Sequence, residues 1–127
     1  MTAPELTRRS LLRGVLVIGA AGATITIAGC TTEHPIVPSD DHAEDIGAVV
    51  QVIDNAYAPE IVTVSVGQAV HWVWESRDRH DVVADDGTFV SELVREGDYK
   101  HIFTEAGEYP YVCSIHPEMR GTVIVTP

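Results

Sequence analysis

From Ala48 onward the chain breaks into short runs that alternate in polarity with period two, and no helical period appears. Ile61 to Val66 sets Val62, Val64 and Val66 against Thr63 and Ser65; Ala69 to Glu75 sets Val70, Trp72 and Trp74 against His71, Val73 and Glu75. Tyr99, His101 and Phe103 alternate along a later run, and Tyr109 to Cys113 and Gly121 to Thr126 follow. Residues two apart share one face of a strand, so each run has a face to bury. Ala48 to Ile53 and the weaker runs Val82 to Ala84 and Phe89 to Val94 complete the set. Turn chemistry separates them: Asn55 to Glu60 with its proline, Gly67-Gln68, Arg77 to Arg79, Asp85-Asp86-Gly87, Glu96-Gly97-Asp98 and Glu105-Ala106-Gly107. Short strands at this spacing predict an all-β sandwich of about eight strands, with Trp72 and Trp74 as bulky members of one core.

Between the last two runs lies Cys113-Ser114-Ile115-His116-Pro117-Glu118-Met119. A thiolate, an imidazole and a thioether recur there every three residues. Thiolate and thioether are soft donors and imidazole is borderline, a set that suits copper in both oxidation states better than zinc or a hard cation. Such a site wants a second imidazole from elsewhere, and His80 is the best candidate. By strand parity His71 faces solvent, and His101 shares a face with Tyr99 and Phe103 as a packed residue. Pro117 restricts the backbone of the segment and Gly121 is expected to let it turn.

Cys113-x-x-His116-x-x-Met119 after an aromatic run, with His80-x-Val82-Val83 upstream, resembles the type 1 (blue) copper proteins, the cupredoxins. The tight spacing is similar to the amicyanin type rather than the plastocyanin type. Tyr57-x-Pro59, Val64-x-x-Gly67-x-x-Val70-x-Trp72 and Gly107-x-Tyr109-x-Tyr111-x-Cys113 follow in the family's order over residues 47–127. The resemblance implies a Greek-key strand order and one copper ion held by His80, Cys113, His116 and Met119. It implies a tyrosine corner at Tyr109. It also implies a clamp between the two ligand segments, for which the family's usual asparagine is here Asp81, facing Ser114. Electrons would pass through an apolar surface around His116, formed by Ile115 and Pro117 with Ala58 and Pro59, and Glu118 beside it suits a basic partner.

The N-terminus reads as a targeting segment. Thr7-Arg8-Arg9-Ser10-Leu11-Leu12-Arg13 resembles a twin-arginine export motif, and an apolar run from Gly14 to Ala28 follows. Ile27-Ala28-Gly29-Cys30 resembles a lipobox, in which Cys30 carries diacylglycerol and becomes the first mature residue. The expected organisation is a signal peptide over 1–29, an acidic tether over 30–46 and a cupredoxin domain over 47–127. The tether lacks hydrophobic periodicity and is expected to be poorly ordered, with His34 and His42 as solvated residues. Lipidation of Cys30 would leave Cys113 as the one thiol of a chain with two cysteines, in an oxidising compartment and without a disulfide partner. Burial or metal binding is then required of it.

Charge narrows the partners. The formal charge is −11, and cleavage before Cys30 removes three arginines and one glutamate to leave −13. That sign disfavours nucleic acid and suits a basic protein surface. The expected function is a single-electron shuttle held by lipid outside the cytoplasmic membrane or in the periplasm, not an enzyme. Its partners would be redox proteins such as a c-type cytochrome, an oxidase or a dehydrogenase. The alternative is a copper chaperone or resistance protein. Such proteins favour exposed Met/His clusters, and this chain has two methionines, one of them Met1.

Overall fold

The structure, a computed structural model, describes residues 33–127. The expected signal peptide and Cys30 lie outside the described residues. Eight strands form: β1 (Ile46–Ile53), β2 (Ala56–Ala58), β3 (Ile61–Ser65), β4 (Ala69–His80), β5 (Val83–Ala84), β6 (Val94–Ile102), β7 (Gly107–Cys113) and β8 (His116–Thr126). They make two four-stranded sheets, ordered β2-β1-β4-β6 and β3-β8-β7-β5. β1 runs parallel to β4 and β3 parallel to β8, while the other neighbours are antiparallel. The fold is thus the all-β sandwich that the alternating runs predict.

The inward faces meet in one core. Val50, Val52, Trp72, Trp74 and Tyr99 come from the first sheet, and Val62, Val64, Tyr111, Cys113, Val123 and Val125 from the second. Trp72 is its centre, with its ring 5.0 Å from Phe89, 5.7 Å from Tyr111 and 5.9 Å from Tyr99. The Tyr109 hydroxyl donates to the Glu105 carbonyl at 2.8 Å, tying down the turn before β7 as the tyrosine corner requires.

Several boundaries differ from the sequence reading. β6 runs unbroken through Gly97, which pairs with Trp74 at φ 120°, a conformation open to glycine without strain. Phe89 to Val94 makes only an isolated bridge, Val83 to Val90, before β6 begins. Phe89 is fully buried although it lies outside a strand, because its ring fills the sandwich against Trp72. The short β2 occupies part of the expected connection at Asn55 to Glu60.

Residues 33–45 also need a correction. They form no strand, yet they are not a loose tether. Val37 N donates to Val90 O, Asp40 N to Lys100 O, Lys100 N to Ser39 Oγ and Ile102 N to Asp40 Oδ2, all at 2.8–3.0 Å. β6 is the edge of its sheet and presents unpaired backbone groups. Such an edge is normally covered, and this segment covers it. A chain recruited by backbone groups needs no hydrophobic period, which is why its sequence reads as linker.

Candidate metal centre

Three strand ends converge at one end of the sandwich. Cys113 closes β7 and His116 opens β8, paired across a tight turn with a register shift between Val112 and Cys113. Cys113 continues the inward face of Tyr109 and Tyr111, so its sulfur points into the core and is 1% exposed. β8 starts earlier than its β-branched run suggests, which puts Met119 on a strand rather than in a loop. Met119 then shares the inward parity of Gly121, Val123 and Val125 and is buried in the core cluster to which Cys113 also belongs. Gly121 is not a turn residue. It sits inside β8 with the Tyr111 ring directly over its Cα, where any Cβ would collide with buried aromatic atoms.

His80 arrives from the other sheet. Between Glu75 and His80 the ladder to β6 shifts register: that whole stretch of β4 corresponds only to the step from Glu96 to Val94. Ser76 to Arg79 therefore bulges outward, re-aiming the strand so that His80 ends fully buried. The Trp74 indole N–H donates to the His80 carbonyl at 2.7 Å beneath this excursion.

The donor atoms come together. Cys113 Sγ lies 3.6 Å from His116 Nδ1 and 3.8 Å from His80 Nδ1, and the three ligating atoms fall within 4.8 Å of one another. Taking bonds of about 2.0 Å to nitrogen and about 2.3 Å to sulfur, two such donors in a trigonal plane stand about 3.7 Å apart. The spacing therefore leaves room for one first-row metal ion, and two imidazoles, a thiolate and a buried thioether are a donor set that fits copper. His71 and His101 are not drawn in: His71 bonds Asp98 at 2.8 Å, and His101 packs tilted against Phe89 and edge-to-face with Phe103. His34 bonds the Asp85 carbonyl.

Hydrogen bonds lock the two segments to each other. Ser114 donates its backbone N–H to Asp81 Oδ1 at 2.7 Å and its hydroxyl to Oδ2 at 2.6 Å. The carboxylate serves here because both partners are donors. Tyr57, packed against Tyr111 with the two rings tilted, donates its hydroxyl to the Asp81 carbonyl at 2.6 Å. On the far side of His80, Nε2 lies 3.1 Å from Asp54 Oδ1. The Asp78 backbone N–H and the His80 ring hold the Asp54 carboxyl below the usual carboxylate range. Burial pushes the Cys113 thiol up, against the pull of backbone N–H groups from Asp81 and Ile115. A metal must therefore displace its proton. Asp54, Trp74 and Tyr57 are the residues that the sequence did not single out for this site. An Asp-Asn pair, a core indole and a strand tyrosine carry no local signal of which distant group they meet.

A profile of the Cupredoxin-like domain matches residues 19–125. The chain belongs to the cupredoxin family. This cupredoxin is 34% identical over 121 residues to the amicyanin of Paracoccus versutus, covering 87% of its own length and 88% of that protein. Among solved structures, a purple cupredoxin from Nitrosopumilus maritimus superposes with a TM-score of 0.53 at 26% identity, over 62% of this chain and 99% of the other. A copper-containing nitrite reductase from Thermus scotoductus superposes with a TM-score of 0.57 at 32% identity, over 65% of this chain. Only 23% of that enzyme is spanned, so the likeness is to one of its parts.

Proposed function

We propose that this cupredoxin is a one-electron carrier that holds a single copper ion between His80 Nδ1, Cys113 Sγ, His116 Nδ1 and the thioether of Met119. The observation that carries this reading is the convergence of Sγ and two Nδ1 atoms at 3.6–3.8 Å, at a point where the donors come from two sheets. Copper, when bound, stores one electron by cycling between Cu(II) and Cu(I). The chain's part is to hold one donor geometry for both states. Strand ends, the Asp81–Ser114 clamp and the packed core resist rearrangement, so little reorganisation accompanies the electron. His116 is partly exposed beside Ile115, which is 49% exposed, and this apolar tip suits close approach of a redox partner. The acidic surface favours a partner with a basic face, such as a c-type cytochrome, an oxidase or a dehydrogenase. Four protein donors favour a carrier over an enzyme, and burial of both Cys113 and Met119 disfavours a chaperone that must release its ion.

The Thr7 to Arg13 motif and the Ile27 to Cys30 box support export and anchoring by lipid on Cys30 to the outer face of the cytoplasmic membrane. Adding Cu(II) to the full chain should produce intense blue absorption from thiolate-to-copper charge transfer. A colourless complex with ordinary tetragonal EPR parameters would refute the site. Cys30→Ser should move the exported protein from membranes to the soluble fraction, and unchanged fractionation would remove the lipid from this reading.

A further inference from the structure

Asp54 occupies the turn between β1 and β2, followed by Asn55 in the left-handed region at φ 64°. It is far from the copper-ligand motifs in sequence, yet its carboxylate is the meeting point of the β4 excursion. Oδ1 accepts from the backbone N–H of Asp78 at 3.1 Å and of Arg77 at 3.1 Å, and Oδ2 lies 3.2 Å from the same Arg77 nitrogen. The fourth contact is the ring of His80, Nε2 to Oδ1 at 3.1 Å. The His80 side chain is wholly buried and Asp54 is 35% exposed, so the carboxylate is the outermost member of the chain that runs from solvent to Cys113.

We propose that Asp54 is a positioning residue for copper: it fixes His80 with the proton on Nε2, leaving Nδ1 free to bind, and lowers the reduction potential through the shared hydrogen bond. This rests on the copper reading above. His80 has two nitrogens, and only Nδ1 faces Cys113. An imidazole coordinates through an unprotonated nitrogen, so the productive form must carry its proton on Nε2. A carboxylate is an acceptor only, and placed at Nε2 it selects that tautomer. It also draws the Nε2 proton toward itself, which raises the electron density and basicity of Nδ1. A stronger nitrogen donor with a nearby negative charge stabilises Cu(II) more than Cu(I). Solvent screens the charge directly, so the ring is the main route of the effect. The two backbone bonds to Arg77 and Asp78 serve the same end, because they hold in place the excursion that delivers His80.

The test compares the full-length copper protein with Asp54→Asn and Asp54→Ala. Asn keeps the shape and one acceptor oxygen but removes the charge, so the blue band should persist while the potential rises. Ala should raise it further. In the reduced protein the His80 Nε2–H should be visible by NMR as a slowly exchanging proton. Its exchange should quicken at least about tenfold in Asp54→Ala, as expected for loss of a charge-assisted hydrogen bond. Should Asp54→Ala not fold, the Asn potential and the wild-type resonance still decide. A potential unchanged in Asp54→Asn, or a His80 Nε2–H that exchanges rapidly in the wild type, overturns the proposal. A wild-type protein without the blue band would instead overturn the copper reading itself.

Discussion

Cys113 and His116 lie three residues apart and are set opposite each other by one tight turn, whereas His80 reaches the same point from the other sheet at the end of a distorted strand. The first pair needs little beyond its own neighbourhood: strand parity turns Cys113 and Met119 inward. His80 depends on groups remote in sequence. The Trp74 indole holds its carbonyl, Asp54 holds its ring, and Asp81, the next residue, is held by Ser114 and Tyr57. One half of the site is thus a local motif, and the other half is a product of packing. The local half is expected to keep its shape when distant contacts are weakened, and the packed half to lose it.

The largest effect should come from the local half. Cys113→Ala removes the sulfur proposed above as the source of the blue absorption, so the band should vanish altogether in the copper-loaded chain. A persisting band would move the charge-transfer donor elsewhere. Trp74→Phe attacks the packed half: it keeps most of the ring in the core but leaves the buried His80 carbonyl without its donor. Stability should fall by about 1–3 kcal/mol in chemical denaturation. EPR and ENDOR of the copper form should show altered His80 nitrogen couplings while the couplings of the Cys113 β-protons remain. Equal disturbance of both ligands would erase the contrast between the halves.

Ser114→Ala cuts one of the two bonds to Asp81 that join the halves and leaves the backbone bond in place. A loss of about 1 kcal/mol is expected, with a small shift in the blue band. The smallest effect lies outside both halves. Burial holds the His101 ring below its ordinary value of 6.5, outweighing the upward pull of Asp40. The unfolded chain therefore takes up this proton before the folded one does, and the stability that neutral His101 contributes is present above about pH 6.5 and is lost as the pH falls through the folded value. His101→Gln should flatten that part of the pH–stability curve and leave the copper spectrum unchanged. A spectral change would mean that the core beneath Phe89 and Phe103 reaches the metal.

Much of this molecule was legible before any coordinates. Period-two runs specify strands because successive side chains leave a strand on opposite faces, and that rule is local. It made Val62, Val64, Trp72 and Trp74 readable as core and kept His71 out of the site. The Cys113-x-x-His116-x-x-Met119 spacing was readable for the same reason: a turn and a short stretch of strand hold those residues close in any register. Where the sequence misled, the deciding forces were not periodic. Residues 33–45 look like linker, yet an open sheet edge gave their backbone partners. Gly121 looks like a hinge, yet a tyrosine ring lies across it. Asp54 looks like half of an ordinary turn, and nothing in its neighbours names His80. Composition and spacing by themselves determined the strands, the sandwich and the chemical character of the donors. Only the tertiary structure decided which oxygen meets the far nitrogen of His80. Contacts between residues distant in sequence arise from how two sheets close on one core, and no local pattern records that.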